Sequence, residues 1–210
     1  MKPPRPVLDA LAVTGGLLLF AGFVHDPWPS RSMAVVGLLF AAGWIGFSSR
    51  DQSLLHALGL TRPGRRTMYW TILALFLGAL LAILTRNRFG IPLLPRTIGI
   101  MVLVAPCIGA MEELVFRGYI QGSLRPSGRA LSILATALAH TGYKLLVILA
   151  LPGQGQFDPL FLGTWTFLGG TAFGITRDFS DSAIPPLTAH VIFDILLYGG
   201  FSVAPAWVWS

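Results

Sequence analysis

Glutamate occurs at just two positions of this 210-residue chain, Glu112 and Glu113, side by side in the apolar run VAPCIGAMEELVFRGYIQG. Arg117 follows the second glutamate by four residues. An ionised side chain at the centre of a membrane helix costs about 3 kcal/mol on insertion scales, so an acid retained there marks a functional site. Two later apolar stretches carry further groups of this kind: His140 in one, and His190 with Asp194 in the other. Carboxylate and imidazole are the side chains that take a proton from water, and a carboxylate placed beside imidazoles is a general base.

Spacing divides the labour among these residues. Glu113 and Arg117, at i and i+4 with the acid first, pair on one helix face. Glu112 points about 100° away from Glu113 and stays available for chemistry. His190 and Asp194 are again i and i+4, so the carboxylate can fix the tautomer and direction of the ring. Thr136 and Lys144 share the face of His140 and make that stripe too polar for lipid contact.

The elements that position these groups are membrane helices. The chain is 54% hydrophobic, 11% charged and has a mean hydropathy of +0.70, where a soluble domain carries about 25% charge. Seven spans of near-membrane length are predicted at 8–24, 33–47, 68–84, 97–120, 130–151, 159–175 and 184–203. An eighth, interfacial piece is expected at 53–61, ahead of Arg62, Arg65 and Arg66. The fold class is therefore all-α, a polytopic membrane bundle of about seven to eight helices. Its N-terminal helices and basic interfacial segment occupy 1–95, and a catalytic core occupies 96–205.

The net charge of +6 sits mostly in short connections, where it orients a membrane protein, and no nucleic-acid partner is expected. Lys2, Arg5, Arg50, Arg62, Arg65, Arg66, Arg125, Arg129 and Arg177 fall on one side, against Arg31, Arg86, Arg88 and Arg96 on the other. That balance predicts a multi-pass protein of the cell (inner) membrane with a cytoplasmic N-terminus. From the inner edge, the helical rise then puts Glu112 at ~12 Å, His140 at ~15 Å, His190 at ~9 Å and Asp194 at ~15 Å, a shared layer. A polar opening is expected on the side of Arg125 and Arg177, with apolar side chains of 146–151 closing the other. The single cysteine, Cys107, excludes an internal disulfide and a cysteine metal cluster.

The order E-E-x-x-x-R at Glu112, Glu113 and Arg117 with Phe116 and Gly118 around the arginine, a lone His140, then H-x-x-x-D at His190 and Asp194, resembles the CPBP family. That family comprises type II (glutamic) CAAX prenyl proteases and their bacterial Abi relatives, and the resemblance covers roughly 96–200. It implies an intramembrane endopeptidase in which the first glutamate and first histidine, Glu112 and His140, activate a water. His190 and Asp194 would stabilise the oxyanion, with Glu113 and Arg117 in support. Two positions depart from the family pattern: Thr136 stands where Phe is usual, and Asp194 where Asn is frequent. An ionised Asp cannot donate to an oxyanion, so Asp194 is expected to orient His190, leaving the oxyanion to the ring.

The expected substrate is a membrane-anchored or lipid-modified protein within the bilayer. No cofactor is required on this reading, although His140, His190, Glu112 and Asp194 together also match a two-histidine, two-carboxylate site for a divalent metal ion. Two other functions compete. One is a non-enzymatic immunity or scaffold protein that keeps the site for structure. The other, a proton-coupled transporter, lacks the inverted repeat such a fold displays.

Overall fold

Hydrophobic side chains of this chain face outward, and that inversion sets its architecture. Leu131, Leu134, Leu138, Leu146 and Leu149 of one helix are exposed, while Ser132, Thr136, His140 and Thr141 of the same helix are buried. Lipid tails, unlike water, accept the leucines, and the polar groups turn inward to find one another.

The computed structural model describes residues 5–151 and 158–203. Lys2 and the outermost residues of the two expected segments lie outside that range. Among the described residues every regular element is helical: α1 (Arg5–Phe23), α2 (Ser32–Ser48), α3 (Leu54–Ala57), α4 (Arg65–Arg88), α5 (Met101–Glu113), α6 (Gln121–Leu124), α7 (Arg129–Leu149), α8 (Pro159–Ser180) and α9 (Ile184–Tyr198). Three of them, α1, α4 and α7, are long and apolar enough to cross a membrane; α2 and α9 are shorter apolar helices. The all-α membrane bundle expected from the sequence is the fold observed.

The expected fourth span begins at Met101 rather than at 97. It does not stop at 120 either: a π-helical stretch, Leu114–Ile120, links α5 to α6. Such widened turns appear where a helix must re-aim side chains at a functional position. The interfacial piece condenses to the single turn α3, capped by the Ser53 side chain accepting from the His56 amide.

Helix α9 packs against α4 and α5, α8 packs against α7, and α1 packs against α2 and α7. Close approach of α9 requires small residues on its neighbours. A Cβ at Gly78 of α4 would run into the backbone of Ala189. A Cβ at Gly109 of α5 would strike the Asp194 carboxylate and lie 2.9 Å from the His190 ring. These two glycines let α9 bring its histidine and aspartate up to the glutamates of α5.

Candidate active site

Glu112, Glu113 and Arg117 are buried on α5 and its π-helical continuation, and His140 and His190 reach them from α7 and α9. Arg117 is wholly buried and donates through Nη1 to Glu113 Oε1 at 3.0 Å. The same Nη1 lies 3.0 Å from His140 Nδ1. A guanidinium only donates, so His140 Nδ1 is the acceptor and the neutral ring carries its proton on Nε2. That Nε2 points at Glu112 Oε2, 3.4 Å away. The three residues the sequence placed in one layer thus meet, with His190 Nε2 4.0 Å from the same Glu112 oxygen.

Two further contacts of the glutamates differ from those expected. Glu112 Oε1 is bound by Lys144 Nζ at 2.8 Å, one helical turn beyond His140 on α7. The signal for Lys144 was its i+4 spacing from His140, but spacing alone left open whether it faced lipid headgroups or the glutamate. His190 Nδ1 is held at 2.8 Å by Glu113 Oε1. Glu113, paired to arginine and ionised, only accepts, so this ring nitrogen donates. Orientation of His190 therefore comes from Glu113. Asp194 had been expected in that role, yet its Oδ2 stands 3.9 Å from Nε2, beyond a hydrogen bond. The i, i+4 pairing is geometrically present but loose, because α9 packs so closely on Gly109 that the ring is drawn to α5 instead.

Rings pack around the imidazoles and restrict them. Phe116 lies 4.5 Å from His140 and Phe173 5.7 Å from His190, centroid to centroid. Phe116 thus supplies an aromatic wall for the histidine that has Thr136 one turn before it.

Among the described residues, no group of three or more His, Cys, Asp or Glu side chains has the arrangement to hold a metal ion. Donor chemistry gives a reason. With Arg117 on Nδ1, the His140 nitrogen nearest the carboxylates carries a hydrogen and offers no lone pair to a metal.

A cavity with about 870 Å³ of space between atoms, part of it open to the outside, starts at Glu112, His140 and His190. It continues past Phe173, Gly170 and Gly169 to Thr166, Trp165 and Leu162 on α8, and to Leu81, Thr85 and Phe89 on α4. Trp165 Nε1 donates to Thr85 Oγ1 at 2.9 Å across it. A second, almost wholly apolar cavity lies between α1, α2, α5 and α7, and the Glu112 and Lys144 side chains border both.

The lining of the main cavity does not include Arg125 or Arg177, the residues expected at its opening. The fold is plugged there by hydrogen bonds. Arg177 Nε donates to the Arg117 carbonyl at 3.1 Å, Gln121 Nε2 to the Gly174 carbonyl at 2.9 Å, and the Ala183 amide to the Gly59 carbonyl at 2.8 Å. The turn after α3 lies directly on Gly118 through the backbone of Leu58. The lining runs instead toward Phe89 and Leu162, near the start of α8, the end where closure by 146–151 was expected.

Residues 94–196, almost half of the chain, match the family model described as Rce1-like: Type II CAAX prenyl endopeptidase Rce1-like. No curated protein and no solved structure matches the chain. The matched segment contains both glutamates, Arg117, His140, Lys144, His190 and Asp194. The family so described is one of endopeptidases. Over this stretch, which holds the buried acid and imidazole groups, the chain is similar to the Rce1-like type II CAAX prenyl endopeptidases.

Proposed function

We propose that this protein is an intramembrane endopeptidase that hydrolyses a peptide bond of a membrane-anchored or lipid-modified protein by a glutamate-activated water. The observation that carries the reading is the convergence on one Glu112 oxygen. Oε1 is occupied by Lys144, while Oε2 faces the two imidazoles at the end of a cavity. Oε2 is thus the oxygen placed to take a proton from water. His140, its proton fixed on Nε2 by Arg117, donates toward Oε2 and orients that base. His190, gripped through Nδ1 by Glu113, turns Nε2 to the cavity, where a protonated ring donates to the oxyanion of the tetrahedral intermediate. Asp194 sits beside that ring and balances the charge it then carries. Glu113 and Arg117 hold both imidazoles and support the site without touching the substrate.

Catalysis on this reading needs no metal or organic cofactor, since the base is a carboxylate and the histidine nearest it is a donor. The site would operate in the cell membrane on a substrate delivered through the bilayer. Comparison of membrane peptides from cells carrying the wild type and Glu112→Gln tests it. The substitution keeps the size and burial of the side chain and removes the base. An uncleaved membrane peptide accumulating only in the variant supports the reading; identical peptide termini in both strains refute it.

A further inference from the structure

We propose that the end of the bundle where α4 and α7 begin and α8 finishes binds the headgroup of an anionic phospholipid. The surface takes no part in the chemistry at Glu112 and is independent of the peptidase reading above.

Charge is the first observation. Arg62, Arg65 and Arg66 lead into α4, Arg125 and Arg129 lie at the start of α7, and Arg177 stands in the last turn of α8. Asp178 and Asp181 are the acids that answer them. Arg125 and Arg129 both pair with Asp178, and Arg125 also binds Asp181. Thr61 Oγ1 donates to the Asp181 carbonyl at 3.3 Å, which ties the segment carrying Arg62 to this cluster. Arg66 is near enough for its charge to act on Asp181. Arg62, Arg65 and Arg66 are exposed, and among the described residues they form no ion pair. Beneath them Arg177 is buried, and its Nη1 makes no hydrogen bond, with the Asp181 carboxylate 3.7 Å away. A buried donor without an acceptor is costly, and the oxygens of a phosphate are strong acceptors for guanidinium. The cluster therefore holds surplus positive charge that two carboxylates do not cancel.

The second observation is what flanks the charge. Tyr69 and Trp70 follow Arg66 by one helical turn. The Trp70 ring stacks on Phe179 at 5.3 Å, and the Arg129 guanidinium lies over that same phenyl ring at 5.0 Å. Tyr69 and Phe179 are exposed, as are Met68 and Ile72 beside them. Aromatic side chains in such a position sit at the depth of lipid headgroups. A free phosphate or a nucleic acid gains nothing from an exposed apolar flank. A phospholipid matches both parts, with its phosphate between Arg66 and Arg129 and its chains along Tyr69, Ile72 and Phe179. The surplus of arginine selects a lipid with net negative charge, because a zwitterionic headgroup brings its own cation.

Native mass spectrometry of the delipidated protein in detergent tests this. The protein is titrated with phosphatidylglycerol or with phosphatidylcholine carrying the same acyl chains. A basic residue near an anionic lipid surface strengthens binding about fivefold. Phosphatidylglycerol is therefore expected to bind at least about fivefold more tightly than phosphatidylcholine. Arg66→Gln should weaken phosphatidylglycerol roughly fivefold, and joint replacement of Arg62, Arg65 and Arg66 by Gln on the order of a hundredfold. Neither change should move phosphatidylcholine. These arginines are exposed and unpaired, so thermal unfolding should match the wild type. Arg96→Gln, beyond the opposite end of α4, is the control for net charge and should bind as the wild type does. Equal affinity of the wild type for the two lipids, or unchanged phosphatidylglycerol binding in the Arg66→Gln variant, would overturn the proposal. So would an equal loss in Arg96→Gln, or displacement of the lipid by equimolar inorganic phosphate, which would assign the surface to a free anion. No cleavage enters the readout, so failure of the peptidase reading leaves it intact.

Discussion

The Arg117 guanidinium lies 3.0 Å from Nδ1 of His140, an arginine on a histidine with both side chains buried. Two potential cations in contact are compatible with burial only when the imidazole is neutral and accepting. Arg117 therefore does more than neutralise Glu113: it selects the His140 tautomer that faces Glu112.

Removing this arginine leaves Glu113 as a buried charge with one fewer partner. Loss of one member of a buried ion pair costs about 3–5 kcal/mol. Arg117→Ala is expected to fall by that amount in denaturant unfolding in detergent, and to accumulate poorly. In nitrogen-15 spectra of histidine-labelled wild type, the His140 signal is expected in its Nε2-protonated form. An Nδ1-protonated signal would remove the tautomer argument.

Lys144 sets which Glu112 oxygen is free. Lys144→Met should fold, since it replaces the stem with one of similar length, and should lose about ten- to a hundredfold in turnover, ~1.4–2.8 kcal/mol of barrier. Lys144→Arg should recover part of that loss by restoring the charge at Oε1. Equal rates for wild type and Lys144→Met would show that the contact has no part in the reaction.

Gly109 is the clearance for α9. Gly109→Ala drives a methyl into the Asp194 carboxylate and the His190 ring. Overpacking of this kind costs about 1–3 kcal/mol. Activity is expected to drop by more than stability does, because the displaced ring is the one facing Glu112. A thermal unfolding curve beside a rate measurement separates the two.

Asp181, just past α8, is bound by Arg125 and lies 3.7 Å from Arg177 Nη1. The hydrogen bond from Arg125 holds its carboxyl below the usual value. A depressed carboxyl stabilises the fold above the unfolded-state value, near pH 4, and that contribution disappears as pH falls through the folded-state value. Because Asp181 is largely exposed, the effect is below ~1 kcal/mol. Its backbone is left-handed at φ 58°, which asparagine adopts, so Asp181→Asn removes the charge alone. The variant's deficit at pH 7 should shrink below about pH 4; a deficit unchanged in acid would assign it to something other than charge.

Much of the site was legible because polar side chains stand out against an apolar sequence. Glu112, Glu113, Arg117, His140 and His190 were identifiable from type and spacing, and the structure brings them within contact of one another. What spacing could not supply were the partners across helices. Glu113 rather than Asp194 holds His190 because Gly109 lets α9 close on α5, and the helical wheel of α9 contains no trace of that contact. The π-helical turn after Glu113 was hidden for a similar reason, since LVFRGYI reads as ordinary helix. The cavity's direction depends on α3 and the 58–59 turn plugging one end. A four-residue helix in a basic loop reveals its packing only in three dimensions.

The most direct test of the account is hydrolysis by purified protein. Wild type and Glu112→Gln, matched for thermal stability and reconstituted in lipid, are given a lipid-anchored reporter peptide with a chelator present, and new termini are read by mass spectrometry. The account predicts cleavage by the wild type despite the chelator, and none by Glu112→Gln. Cleavage by Glu112→Gln at the wild-type rate, or wild-type activity that vanishes with the chelator and returns with added metal, would contradict it.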